Sequence, residues 1–348
     1  MRNGYPIYDA DTHVGPSVET LVRYMDPGLR PRLVELEPYR VEITAVEREG
    51  CPRGRHFYHV GELRFSRPLG AAEPEAKPTW GRRQARRPIS EGVGDDNVEN
   101  RLQDMDAEGV DQAFLVSGTT LASIAALEDP ELRRGCLTAF HRYLNHYCGE
   151  AAGRLTSAVV VHPEAIDWSL AEIRRWGKEP WAVAVLPLVG RNSPLDHPRL
   201  EPVWALAADH NMAIVHHCFT WFPPFFPSYE DQWDNIFLAR LASHPYSGMR
   251  FVAALIGSGI LDRYPNLRAA CLESGCGWLP FWTQRMDEQA EYVGGTVGLK
   301  QRCSDYVRSG RVLVTVQLAE GPEITRSVMD LLGNDMLMYA SDYPHGEC

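Results

Sequence analysis

Apolar residues recur along this chain in short runs, most of them preceded by a segment of helical spacing and closed by Gly, Pro or polar side chains. The first run, residues 5–13, lies between Gly4 and Gly15-Pro16 and finishes on Asp11-Thr12-His13, the pattern of a buried strand ending in functional side chains. After Asp96-Asn97, Leu102 and Met105 sit at helical spacing before Gly109, so a helix feeds a second strand over 110–116. The same alternation predicts strands over 156–162, 181–189, 212–219, 267–273, 311–318 and 336–342. Eight strands alternating with helices imply parallel pairing through right-handed crossovers, and closure as a (β/α)8 TIM barrel in preference to an open doubly wound sheet. The period fails between about 37 and 90, where Pro, Gly and Arg cluster in Cys51-Pro52-Arg53-Gly54-Arg55 and in Trp80 to Pro88. This stretch reads as an irregular insertion after strand one, a flap or an oligomer contact.

The 348 residues exceed what a single core usually takes, but a barrel of about 250 residues plus an insertion accounts for them. One domain over 1–348 is expected. Acidic residues outnumber basic ones 46 to 35, for a net charge of -11, which opposes the phosphate neutralisation that nucleic-acid binding requires. No apolar run is long enough to span a bilayer, and the first residues lack a signal-peptide core, so the cytoplasm is the expected location. The eight cysteines include no C-x-x-C pair, which argues against a zinc ribbon or disulfide scaffold, and Cys271 reads as a small core residue. No glycine-rich phosphate loop is present to suggest a nucleotide.

The chemistry concentrates at strand ends. Asp11 and His13 are two apart, so a strand points both to one face, where they can share a metal ion. The fifth strand ends in His216-His217, of which alternation lets one face the lumen. His217 shares its face with the small Ala213 and Val215 and is the better placed, unless a bulge shifts the register. Asp342 closes the eighth strand, where a carboxylate can hold a metal or move a proton. All four fall on the face where barrel enzymes build their sites. Glu273 ends the sixth strand on the parity of Cys271 and is expected to point into the lumen with it, as a candidate catalytic carboxylate or the partner of a barrel arginine. His162 ends the third strand as a candidate substrate contact or hydrogen-bonded core histidine. The aromatic run 219–226, with Trp221 and Phe222, suits the wall of a pocket for a planar substrate or a subunit interface.

These residues resemble the amidohydrolase-related branch that includes aminocarboxymuconate semialdehyde decarboxylase and the resorcylate-type decarboxylases. The matching pieces are Tyr8-Asp9-Ala10-Asp11-Thr12-His13, the run from Arg101 to Asp111, Tyr264-Pro265-Asn266-Leu267-Arg268, Gly277-Trp278-Leu279-Pro280 and Ala340-Ser341-Asp342-Tyr343-Pro344-His345. The resemblance covers most of the chain. It implies Asp11, His13, His217 and Asp342 as ligands of a divalent metal, zinc or in some members manganese. It also implies a homodimer or higher homo-oligomer acting on a small molecule. Two departures stand out. Where the decarboxylases carry a catalytic histidine in an H-x-G context, this chain has Glu273-Ser274-Gly275. The sequence also stops at Cys348 without the final helix of such barrels, so either the chain is trimmed or closure is completed by a partner or by the insertion. The expected activity is non-oxidative decarboxylation of a small carboxylated cyclic or aromatic compound. Asp342 would carry the proton, Glu273 and the ion-holding His217 would assist, and His162, Trp221, Phe222 and His345 would contact substrate. Hydrolysis of an ester, lactone or amide by metal-activated water is the alternative, and a non-catalytic barrel scaffold with a decayed site is a third reading.

Overall fold

The computed structural model describes residues 2–43, 54–59, 97–188, 194–218, 236–293 and 298–345. Its main sheet has eight parallel strands, in the order β1 (Tyr8–His13), β4 (Gln112–Val116), β5 (Leu155–Val161), β6 (Ala182–Pro187), β7 (Ala213–His217), β8 (Ala269–Leu272), β9 (Val312–Thr315) and β10 (Leu337–Met338). The ring closes through the chain's own first and last strands. Ala10 N–H donates to Tyr339 C=O at 2.9 Å, Asp342 N–H to Asp11 C=O at 2.9 Å and His13 N–H to Tyr343 C=O at 2.6 Å. The expectation that closure involves a partner or the insertion is corrected by these bonds. They extend past the two-residue ladder of β10 because the chain there kinks at Asp342 (φ +57°) yet stays in register with β1.

Helices fill the crossovers: α1 (Val18–Tyr24), α2 (Val98–Glu108), α3 (Gly118–Ala125), α4 (Pro130–Gly149), α5 (Ile166–Trp176), α6 (Glu201–Asp209), α7 (Ile236–Gly257), α8 (Ile260–Arg263), α9 (Leu279–Val293), α10 (Cys303–Arg308) and α11 (Gly321–Leu332). None of the described helices is long and apolar enough to cross a membrane. Local chemistry sets their ends. Asn97 caps α2 by accepting from Glu99 N–H, and Gly109 leaves it in the left-handed region (φ +74°), turning the chain into β4. Asp129 caps α4, with Pro130 in its first turn, and Leu132, Leu137, Phe140, Leu144 and Tyr147 pack that helix on the sheet. Because helices cover the outside and side chains fill the inside, a strand such as β5 is buried almost end to end and reads as Val159-Val160-Val161.

Within the stretch 37–90, β2 (Arg40–Glu42) and β3 (His56–Tyr58) pair antiparallel. Three residues per strand is too short for any period to show, which is why the sequence reads as irregular there. Residues 44–53 and 60–96 lie outside the described residues.

Candidate active site

Asp11 and His13 alternate along β1 and are both fully buried. The end of that strand is clamped from α2. The buried Arg101 guanidinium donates to His13 C=O and lies 5.1 Å over the Tyr343 ring, while the Tyr343 hydroxyl donates to the Asp104 carboxylate. One helix thus holds β1 and the segment after β10 in a fixed relation.

On β7 the two histidines part. His216 turns outward, its Nε2 3.0 Å from Ser247 Oγ and its ring stacked 5.2 Å from Phe251, both on α7. His217 therefore faces the lumen. Its Nδ1–H donates to Cys218 C=O at 2.7 Å, and its Nε2 lies 3.5 Å from Asp11 Oδ1 and 3.2 Å from Glu273 Oε2. On β8, Cys271 pairs with His216 and lies against α7, where a Cβ on Gly248 would meet its Sγ at 2.9 Å. Simple alternation would then send Glu273 outward with Cys271. A left-handed backbone at Glu273 (φ +48°) reverses it, so the expected shared face is corrected although the carboxylate does reach the mouth.

Asp342 also takes a left-handed conformation and accepts from two imidazoles, His13 Nε2 at 2.7 Å and His345 Nδ1 at 2.9 Å. The His345 ring stacks on His13 with centroids 4.0 Å apart. The structure thus gathers Asp11, His13, His217, Glu273, Asp342 and His345 into one cluster. His162 stays apart: its Nδ1 accepts from Glu164 N–H at 3.2 Å and its main chain bonds Ser169. Trp221 and Phe222 lie outside the described residues.

Burial and charge oppose each other throughout the cluster. Burial alone would depress the His217 imidazole, but Asp11 and Glu273 outweigh it and push the group up to about 10. Burial would raise Glu273 and Asp342. Instead His217 and His244 hold Glu273 well below the usual carboxylate range, and hydrogen bonds from His13 and His345 do the same for Asp342. Asp9, beneath them, is raised to about 6 by burial, against hydrogen bonds from Ser341 and Asp11. Outside, burial and the neighbouring His217 hold His216 neutral.

The donor set fits a metal ion. Ligand atoms of Asp11, His13 and His217 lie within 4.8 Å of one another. Neither Asp11 oxygen has a hydrogen-bond partner among the described residues. The nearest imidazole nitrogens, His217 Nε2 and His13 Nε2, stand 3.5 and 3.7 Å from Oδ1. A fully buried carboxylate left this way is costly unless a cation completes it, and one carboxylate with two imidazoles is a donor set that zinc or manganese accepts.

Sequence reasoning passed over His244 and Cys218, which contact Glu273, and gave no role to Arg101 or Tyr343. The one signal for His244 was a His-Pro step inside an otherwise apolar helix.

Comparison with solved structures shows the fold in other proteins. 5-Carboxyvanillate decarboxylase from Novosphingobium aromaticivorans, solved with manganese and 4-hydroxy-3-methoxy-5-nitrobenzoic acid, is similar with a TM-score of 0.64 and 19% identity, over 100% of this chain and 88% of that one. 2,6-Dihydroxybenzoate decarboxylase from Rhizobium gives 0.59 and 18%, over 72% and 78%. An amidohydrolase from Mycobacterium avium subsp. paratuberculosis gives 0.69 and 17%, over 99% and 90%. No curated protein matches the chain. Residues 54–347, well over half of the sequence, match the model of the family described as "Amidohydrolase", and the chain belongs to that family.

Proposed function

We propose that this protein is a metal-dependent decarboxylase that releases carbon dioxide from a small aromatic or cyclic carboxylate without an oxidant. The observation that carries the reading is the Asp11 carboxylate, fully buried beside two imidazoles with neither oxygen hydrogen-bonded among the described residues. Asp11, His13 and His217 would hold the ion, with Asp342 beside them. Zinc suits two imidazoles and two carboxylates, and manganese is the ion in the 5-carboxyvanillate decarboxylase structure. When bound, such an ion supplies a Lewis acid that grips a substrate oxygen and draws charge from the bond to be broken.

The remaining work falls to the chain. Were His13 Nε2 to hold the ion, Asp342 would lose its shortest hydrogen bond and keep His345 as the donor beside it. The bond between ring carbon and carboxylate breaks and carbon dioxide leaves. The electron pair stays on the ring carbon and takes the proton from Asp342. His345, whose side chain is 29% exposed, returns a proton from the mouth. The aromatic run 219–226, including Trp221 and Phe222, has the composition to wall the ring, and His162 directly follows β5. Exposed apolar side chains on α9 and α11, among them Phe281 and Leu331, give a cytoplasmic homo-oligomer a surface to use.

Glu273, where the family resemblance leads to the expectation of a histidine, favours a second reading: hydrolysis, in which Asp342 takes a proton from water instead of giving one to carbon. A panel of aromatic acids assayed for carbon dioxide, beside esters, lactones and amides, separates the two. Turnover of the acids that Asp342→Asn abolishes is the expected result; turnover that survives this substitution sinks both readings.

A further inference from the structure

β7 and β8 end at one level, Leu272 standing opposite His217, so the next residues, Cys218 and Glu273, lie side by side. The left-handed backbone at Glu273 (φ +48°) turns its carboxylate onto the buried Cys218 thiol, which donates to Oε2. The same oxygen lies 3.2 Å from His217 Nε2, and the other lies 3.4 Å from His244 Nε2. Ligand atoms of His217, Cys218 and Glu273 lie within 4.8 Å of one another, as do those of Asp11, His13 and His217. A thiol is a weak donor to a buried carboxylate. A divalent cation in place of its proton would bind both groups in their charged forms.

The two groups meet at His217. Its Nδ1–H donates to Cys218 C=O, so Nε2 is the ring's ligand atom, and it stands 3.5 Å from Asp11 Oδ1 and 3.2 Å from Glu273 Oε2. One lone pair serves one ion. The groups differ in hardness. Asp11 and His13 offer oxygen and nitrogen, which suit manganese as well as zinc, whereas Cys218 adds sulfur, which selects thiophilic ions. The sulfur seat is the weaker one, with a single imidazole where the other has two and Asp342 close by. It therefore fills when a thiophilic ion is supplied and does not hold one through purification.

We propose that Cys218, Glu273 and His217 form a second cation seat, selective for a thiophilic divalent ion such as cadmium, which competes with the Asp11 seat for His217. On binding, a sulfur–metal bond forms and the thiol proton leaves to water. The competition rests on the metal-dependent reading above, whereas the seat itself does not. Thiophilic ion in excess takes His217 from the first seat, loosens the ion there and stops turnover.

Ultraviolet absorption of metal-stripped protein titrated with cadmium reads the seat without turnover, because a cadmium–thiolate bond brings a charge-transfer band that oxygen and nitrogen ligands lack. About one band-forming cadmium per chain is expected. Cys218→Ser and Cys218→Ala should each lose the band, and Glu273→Gln should weaken cadmium about tenfold, while Asp11→Asn should keep the band. In manganese-loaded protein, cadmium is expected to release manganese as the band grows, followed by the electron spin resonance of the freed ion. No band, an equal band in the Cys218 variants, loss of the band in Asp11→Asn, or a full band with all manganese retained would overturn the proposal. The two readings fail separately. A Cys218-dependent band in a protein that releases no carbon dioxide removes decarboxylation alone, whereas carbon dioxide release without such a band removes the second seat alone.

Discussion

Two buried regions of this barrel are made of the same side chains and differ in one respect. Between α4 and α5, the His141 Nδ1–H donates to Glu172 at 2.6 Å, its Nε2 accepts from Val160 N–H at 2.9 Å, and Trp176 Nε1–H donates to the same glutamate at 2.9 Å. Every donor has an acceptor. At the mouth, Asp11 has two imidazoles beside it, yet both its oxygens and His13 Nδ1 lack hydrogen-bond partners among the described residues. A histidine beside a carboxylate does not mark a reactive site. What separates the two is unspent valence, since a closed network stabilises the fold while an open one waits for a cation or substrate.

The comparison breaks most visibly by substitution. Asp11→Asn is expected to bring the activity of metal-loaded protein to background while leaving the thermal midpoint of metal-stripped protein unchanged or higher, because without an ion neither Asp11 oxygen has a hydrogen-bond partner among the described residues. Activity after metal loading and differential scanning calorimetry after chelation check this, and a large fall in the stability of the stripped protein would place Asp11 with the structural pairs. Asp342→Asn is expected to lower kcat by about 10²- to 10⁴-fold, the range of a lost proton carrier, with the metal content retained in part. Glu172→Gln should do the opposite. It should cost about 2–4 kcal/mol of stability, as breaking a buried pair does, and leave kcat alone; urea unfolding and steady-state kinetics decide it.

Sequence pattern reached one side of this comparison and not the other. The strands were legible because a parallel sheet covered on both faces is written as short apolar runs, and period two sufficed to turn His217 inward and His216 outward. Glu273 reaches the lumen as expected, but alternation gave the wrong face for Cys271, because the left-handed backbone at Glu273 breaks the shared parity. β2 and β3 escaped because each is three residues long. His244 escaped for a different reason. Its partner Glu273 lies on another element 29 residues away, and no local period encodes a contact between a helix and a strand end. His141 and Glu172, 31 residues apart, were equally invisible.

A smaller effect sharpens the comparison with a third kind of buried imidazole. Among the described residues His162 has no carboxylate in hydrogen-bond contact, and burial with the nearby Arg133 lowers it to about 4 from 6.5. The folded protein therefore binds this proton more weakly than the unfolded chain. Its contribution to stability is complete above pH 6.5 and is lost as pH falls toward 4. At pH 5 the loss is about 2 kcal/mol relative to pH 7. His162→Gln is expected to flatten that part of the urea-midpoint profile, and an unchanged slope would show that other groups set it.

The central claim is that the open cluster holds an ion and the closed one does not. Metal analysis of protein purified without chelator reads this directly. About one zinc or manganese per chain is expected in the wild type and in Glu172→Gln, and less than about 0.2 in Asp11→Asn, since the remaining donors no longer make a complete site. Less than about 0.2 ion in the wild type, or a full ion retained by Asp11→Asn, would contradict the account and leave the barrel as a scaffold without a working metal centre.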